Sequence, residues 1–183
     1  MTGPSPSRVR AVVASIVVVL SVAACGSTGA SIADTTPLPA GPTPSKVAKM
    51  VCAGEAQADM QSALGEVATV TTPTWSADEH VYSCTYAYPT GSFTLSVKEL
   101  SSWSQTEDYY AGLEVTMGKS RNLLGLGQAG FQARDGSVVV RKDWKVLTVD
   151  STGLPARFGV PPISSGEVAI DVADVILGCW DGD

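Results

Sequence analysis

The chain is predicted to fold as an α+β domain, a mostly antiparallel sheet packed with helices, and three patterns carry that prediction. Val81 to Tyr88 alternates strictly, with Tyr82, Cys84, Tyr86 and Tyr88 on one face and Val81, Ser83, Thr85 and Ala87 on the other. After a Pro89-Thr90-Gly91 turn the alternation resumes, Phe93, Leu95 and Val97 against Thr94, Ser96 and Lys98. That is an antiparallel hairpin with one buried face. The third pattern is the switch between this two-residue period and a three-to-four-residue period before, between and after the strands.

In chain order, Ser45 to Glu66 has Val47, Met50, Val51, Met60, Ala63 and Leu64 at helical spacing. Ser45 or Thr43 is placed to cap it, Gly54 interrupts it and offers a point for a break, and Gly65 can end it. A short strand is expected around Val67 to Thr72, ahead of the hairpin. Thr106 to Met117 forms the second helix, with Tyr109, Tyr110, Leu113 and Met117 on one side. Three strands follow, Ala129–Arg134, Ser137–Lys142 and Trp144–Asp150, the first two joined by the tight-turn pair Asp135-Gly136. Beyond a loop from Pro155 to Pro162, Val168, Val172, Val175 and Ile176 mark a third helix over Ser165 to Leu177. The expected order is α-β-β-β-α-β-β-β-α, a helix and three strands twice over, without self-similarity in the residues themselves.

The start of the chain has a different character. Arg8 and Arg10 precede an apolar run from Ala11 to Leu20, followed by Val22-Ala23-Ala24-Cys25-Gly26. A positive segment, a short apolar segment and small residues before a cut are the parts of an export signal. The fourteen residues from Ala11 to Ala24 would cover about 21 Å as a helix, short of the roughly 30 Å hydrocarbon core. Val9 separates the two arginines, so a twin-arginine signal is not supported. The expected division is residues 1–24 as signal peptide, 25–45 as a tether and 46–183 as one globular domain.

Removal of residues 1–24 takes Arg8 and Arg10 from the 12 basic residues and none of the 18 acidic ones, leaving a formal charge of −8. An acidic domain is repelled by phosphate backbones, which excludes nucleic acid as the expected partner. Residues 27–45 are rich in Ser, Thr, Gly, Ala and Pro, too polar and small to fold alone, and suit an extended disordered spacer. Outside the cytoplasm a disulfide is expected among Cys52, Cys84 and Cys179. The preferred pair is Cys52–Cys84, joining the first helix to a strand and leaving Cys179 as a buried free thiol. Pairing of Cys179 with either of the others is the alternative.

Candidate chemistry is sparse. Gly125-Leu126-Gly127-Gln128-Ala129-Gly130 matches the dinucleotide-binding glycine pattern, with Asp150 twenty residues beyond it. That pattern requires a strand before it and a helix after it; here a helix is expected before and a hairpin after, so it is taken as a turn. His80, the single histidine, follows Asp78 and Glu79 in what is expected to be a solvated loop, and adjacent residues on an extended chain point to opposite faces. No serine elbow, catalytic cysteine arrangement or zinc spacing is present, so no catalytic residue, metal or cofactor is expected. Arg141, Lys142 and Lys145 beside Trp144 form a local basic patch, assigned to solvated strand faces. Tyr82, Tyr86 and Tyr88 on one strand face and Tyr109 and Tyr110 on the next helix either line a ligand groove or fill the core.

Val22-Ala23-Ala24-Cys25 resembles the lipobox of bacterial lipoproteins, which implies that Cys25 becomes the first mature residue and carries a diacylglycerol. Together with the Pro/Thr spacer, the helix cysteine, the Ser83-Cys84-Thr85-Tyr86 strand and the Leu124-Gly125-Leu126-Gly127-Gln128-Ala129 turn, it is similar to the small cell-envelope lipoproteins of actinobacteria. The anchor, the spacer and the missing catalytic groups lead us to expect a membrane-anchored, extracytoplasmic, non-enzymatic protein that binds a small or lipidic ligand or an envelope protein, in a sensor or accessory role. The resemblance supplies no catalytic residues, and the third mature-domain cysteine departs from a two-cysteine pattern. The rival readings are an envelope hydrolase with an unrecognised site and a structural envelope protein.

Overall fold

A computed structural model describes residues 37–180. The expected signal peptide, the lipobox-like segment with Cys25 and the first part of the expected spacer lie outside the described residues. The first elements are α1 (Lys46–Met50), α2 (Gly54–Leu64), β1 (Thr69–Val70), β2 (Thr74–Ser76), β3 (Val81–Tyr88) and β4 (Gly91–Glu99). Then come α3 (Trp103–Thr116), β5 (Lys119–Leu123), β6 (Ala129–Ala133), β7 (Val138–Lys142) and β8 (Lys145–Asp150). The two-residue strands β9 (Arg157–Phe158) and β10 (Ile163–Ser164) pair with each other before α4 (Ser165–Gly178).

The main sheet has eight strands in the order β1-β3-β4-β8-β7-β6-β5, with β2 also on β3, and its pairings are antiparallel. The fold is α+β, as the patterns require. The hairpin of β3 and β4 runs in unbroken register from Val81 opposite Lys98 to Tyr88 opposite Gly91. Its alternation is realised as burial: Cys84, Tyr86, Tyr88, Phe93, Leu95 and Val97 are buried, and the residues between them are half-buried.

Helices cover both faces, which makes three layers. The larger core lies between the sheet and α1, α2 and α4, where Met60, Leu64, Tyr86, Leu95, Leu147, Val172 and Ile176 pack together. The smaller lies on the opposite face, where Tyr110 of α3 meets Phe131, Ala133, Val139 and Val146. Helix α4 buries Val168, Ala169, Val172, Ala173 and Ile176, the one-sided stripe its sequence displays. Its start is held by a capping box: Ser164 Oγ accepts from Glu167 N, and Glu167 accepts from Ser164 N.

Four expectations are corrected here. The first helix is two, because the chain breaks at residues 51–53 to carry Cys52 to β3. The disulfide Cys52–Cys84 forms there, with Cα atoms 6.1 Å apart and a sequence separation of 32. Cys179 is neither buried nor a free thiol: it is half-buried at the end of α4, and no free cysteine occurs among the described residues. The segment after Gly65 makes two short strands on β3 rather than one. An unanticipated strand, β5, follows α3, and α3 itself begins at Trp103 because Ser102 Oγ accepts from Gln105 N.

The spacer is fixed to the domain sooner than its composition suggests. Ala40 N donates to Leu100 O at 3.1 Å, Trp75 Nε1 donates to Pro42 O at 3.0 Å, and His80 Nδ1 lies 3.0 Å from Gly41 O. Ser45 N donates to the buried carboxylate of Glu99 at 3.2 Å. The spacer is therefore strapped across the end of β4, beside the β7–β8 turn, where Leu100 N donates to Trp144 O. Trp180, the last described residue, is tied to β7, since Lys142 Nζ donates to its carbonyl at 2.6 Å.

Candidate functional site

The five tyrosines do not form one groove. Tyr82, Tyr86 and Tyr88 face the larger core, while Tyr109 and Tyr110 belong to the smaller one across the sheet. Tyr86 is fully buried, donates to Val51 O at 2.7 Å and stacks on Phe93 with ring centroids 4.9 Å apart. Tyr88 meets Phe158 edge-on at 4.7 Å, and Tyr110 meets Phe131 edge-on at 5.4 Å. Burial pushes the phenols of Tyr88 and Tyr110 up to about 12, with Glu66 adding to the first and Glu114 to the second. Arg141 offsets part of the rise at Tyr110. Burial, then Tyr88, pushes Tyr86 higher still. Phenols held neutral in this way fill space and supply no acid or base near neutral pH.

The remaining candidates are also dispersed. His80 is half-buried against the strapped spacer, its ring 5.9 Å from that of Trp75, and not in a solvated loop. The basic patch does not exist as a patch. Arg141 stacks on Trp103 at 4.3 Å and pairs with Glu107 at 3.1 Å, on the α3 side. Lys142 holds the Trp180 carbonyl, and Lys145 is buried opposite Glu99 in the β4–β8 register. The glycine pattern is preceded by a strand after all, β5, but antiparallel β6 follows it and supplies no helix N-terminus for a phosphate. Packing and backbone explain its central glycine: Gly127 has φ +59° and a Cβ there would lie 2.6 Å from Val140 Cγ1. Among the described residues no cluster of His, Cys, Asp or Glu is arranged to hold a metal ion, and no helix is long and apolar enough to cross a membrane.

Concavity gathers instead around β5 and the glycine loop. One groove, of about 410 Å³, separates β5 and Leu124 from Ile170, Asp171 and Asp174 of α4. A second, of about 320 Å³, lies between the same loop and Tyr110 and Glu114 of α3. A third, of about 480 Å³, runs under Gly125 and Gln128 to Lys142, Asp143 and Asp174. No family model, curated protein or solved structure matches the chain.

Strand β5 is the last in the sheet and pairs only with β6 among the described strands. A register shift falls between Lys119 and Arg121, and Arg121 to Leu123 run in step with Gln132 to Gly130. Leu124, at its end, is 96% exposed. Beside it, the carboxyl of Asp171 is pushed up by partial burial first, then by its neighbours Asp174 and Glu167. The arrangement offers an unpaired backbone edge, an apolar tip and two like charges that repel each other. It can hold an extended chain, and it converges no nucleophile, base or oxyanion donors on one point.

Sequence reasoning missed this region because Lys119-Ser120-Arg121-Asn122 has no apolar alternation. The only signals were Gly118 and Gly125, which bracket it as turn residues at φ +68° and +86°.

Proposed function

We propose that this chain is a lipid-anchored, extracytoplasmic binding protein of an actinobacterial-type cell envelope, without enzymatic activity, whose domain recognises a protein partner at its surface. One observation carries the choice of partner: the aromatic residues that could line a ligand cavity are packed core, and the concavities are grooves along a free sheet edge. An extended protein segment fits such a surface, whereas a lipidic ligand needs an enclosed apolar cavity. The signal sequence, lipobox and spacer support the anchor. The fourteen residues between Cys25 and Ala40 set the domain at most about 50 Å from a lipid on Cys25.

The anchor is tested by fractionating cells that produce the chain with Cys25→Ala. The variant should leave the membrane fraction, and retention there would contradict the lipid anchor. Native mass spectrometry of the detergent-extracted wild-type chain tests the partner class. The mass should match the lipidated protein alone; an added small-molecule mass that is lost on denaturation would replace the protein-partner reading with ligand carriage.

A further inference from the structure

We propose that the free edge of β5 accepts an extended segment of a partner protein as an added antiparallel or parallel strand, with basic side chains toward α4 and apolar side chains toward α3. The inference rests on the protein-binding reading above and names the surface and the chemistry of its partner.

An exposed strand edge carries a row of unused N–H and C=O groups, and proteins usually guard such edges with charge or a bulge. Here the guard is partial. The register shift lies at the beginning of β5, leaving Arg121 to Leu123 regular. The two cations of the strand are engaged by the domain itself: Lys119 Nζ pairs with Glu114 at 2.8 Å, and Arg121 Nε donates to Gln132 Oε1 at 2.9 Å. Gln132 is fixed in turn, since its Nε2 donates to Gly136 O and Gly166 O. Lys119 is neutralised by Glu114, whereas Arg121 is held in place by a neutral amide and keeps its charge at the groove.

The two sides of the edge differ in charge. On the α4 side, Asp171 and Asp174 line the groove together with Arg121, which leaves it net acidic, and neither aspartate is in an ion pair among the described residues. On the α3 side, Glu114 is already neutralised by Lys119, and the exposed apolar surface is that of Leu124, since Tyr110 and Leu126 beside it are buried and Ala129 is half-buried. Successive side chains of an added strand point alternately to the two faces. A segment that alternates Lys or Arg with an apolar residue therefore places its cations over Asp171 and Asp174 and its apolar groups against α3 and Leu124. The net charge of −8 after removal of the signal favours a basic partner and disfavours a second copy of this chain.

The probe is the peptide acetyl-(Lys-Val)₃-Lys-amide, added to the detergent-extracted mature chain, with hydrogen exchange read by mass spectrometry. Exchange within Arg121–Leu124 should slow at least about tenfold at saturation at the amides that point away from β6, because those become ladder donors to the added strand. The Glu-Val counterpart, and a Lys-Val peptide N-methylated at alternate residues, should leave it unchanged. Asp171→Asn with Asp174→Asn, both exposed positions, should weaken the Lys-Val peptide by about 3- to 10-fold without lowering Tm. The proposal is overturned if β5 exchange does not respond, if the N-methylated peptide protects equally well, or if the double variant binds unchanged. Protection that rises with protein concentration without peptide overturns it in favour of a second copy. Failure here with protein crosslinks elsewhere on the domain removes the β5 assignment alone; absence of protein crosslinks anywhere removes the protein-binding reading itself.

Discussion

The β3–β4 hairpin and the β5–β6 hairpin lie toward opposite sides of one sheet, and the fold treats them oppositely. β3 and β4 are tied down three times over: by α1 and α2 across their buried face, by the disulfide at Cys84, and by the spacer strapped across their end. Strands β1 and β2 take up the far edge of β3. β5 has neighbours on one side only, exposes Lys119 to Asn122, and ends in a loop whose leucine tip points into solvent. The comparison separates two uses of the same backbone geometry. Where side chains are buried on one face, the hairpin supplies stability; where the ladder stops, it leaves hydrogen-bonding capacity and apolar area for another chain.

The largest expected effect sharpens that contrast by pairing equal truncations. Leu95→Ala in β4, a side chain with no exposed surface, should cost about 2–5 kcal/mol in urea unfolding. Leu124→Ala beyond β5 should stay within about 0.5 kcal/mol. Comparable losses would erase the distinction between the two regions. Next, replacing Cys52 and Cys84 together with serine should lower stability by roughly 3–4 kcal/mol, the chain-entropy value for a loop of this length. A loss below about 1 kcal/mol would show that the helices, and not the crosslink, hold that end together.

The smallest effect concerns pH on the open side. Asp171 binds its proton more tightly folded than unfolded, so its charge works against the fold. Its contribution is present at low pH and is lost as pH rises from the ordinary carboxylate range through the raised value. Asp171→Asn should therefore match wild type in acid and exceed it in thermal stability at pH 7. A variant less stable at pH 7 than wild type would mean that the carboxylate is favourably paired in solution.

The same contrast explains how much could be read from the residues. In β3 and β4 every second side chain is large and apolar, and burial follows that alternation residue by residue. The pairs Pro89-Thr90-Gly91 and Asp135-Gly136 locate their turns for the same local reason. Helix α4 was equally legible, from one apolar stripe. β5 was not, because a strand whose faces are exposed has no pattern to display; its pairing with β6 is held by backbone bonds, to which sequence is nearly blind. Gly54 marks the break between α1 and α2, which falls at residues 51–53 just before it, while helical spacing continues across the gap and hides its extent. The tyrosines show the limit for sites: periodicity placed them on faces correctly, but the two faces lie on opposite sides of the sheet, and no local pattern reveals which side a later helix will cover. Lys145 looked like part of a basic cluster until the register set it opposite Glu99 in the interior.

The most direct test of recognition at the open edge is photo-crosslinking of the full chain in the cells that make it. A benzophenone amino acid would be placed at Leu124 in one variant and at Thr94, on the polar face of β4, in another. The account predicts a single discrete protein adduct from position 124, reduced by excess Lys-Val peptide, and none from position 94. An adduct from position 94 alone, or one from 124 that the peptide does not compete, would contradict it.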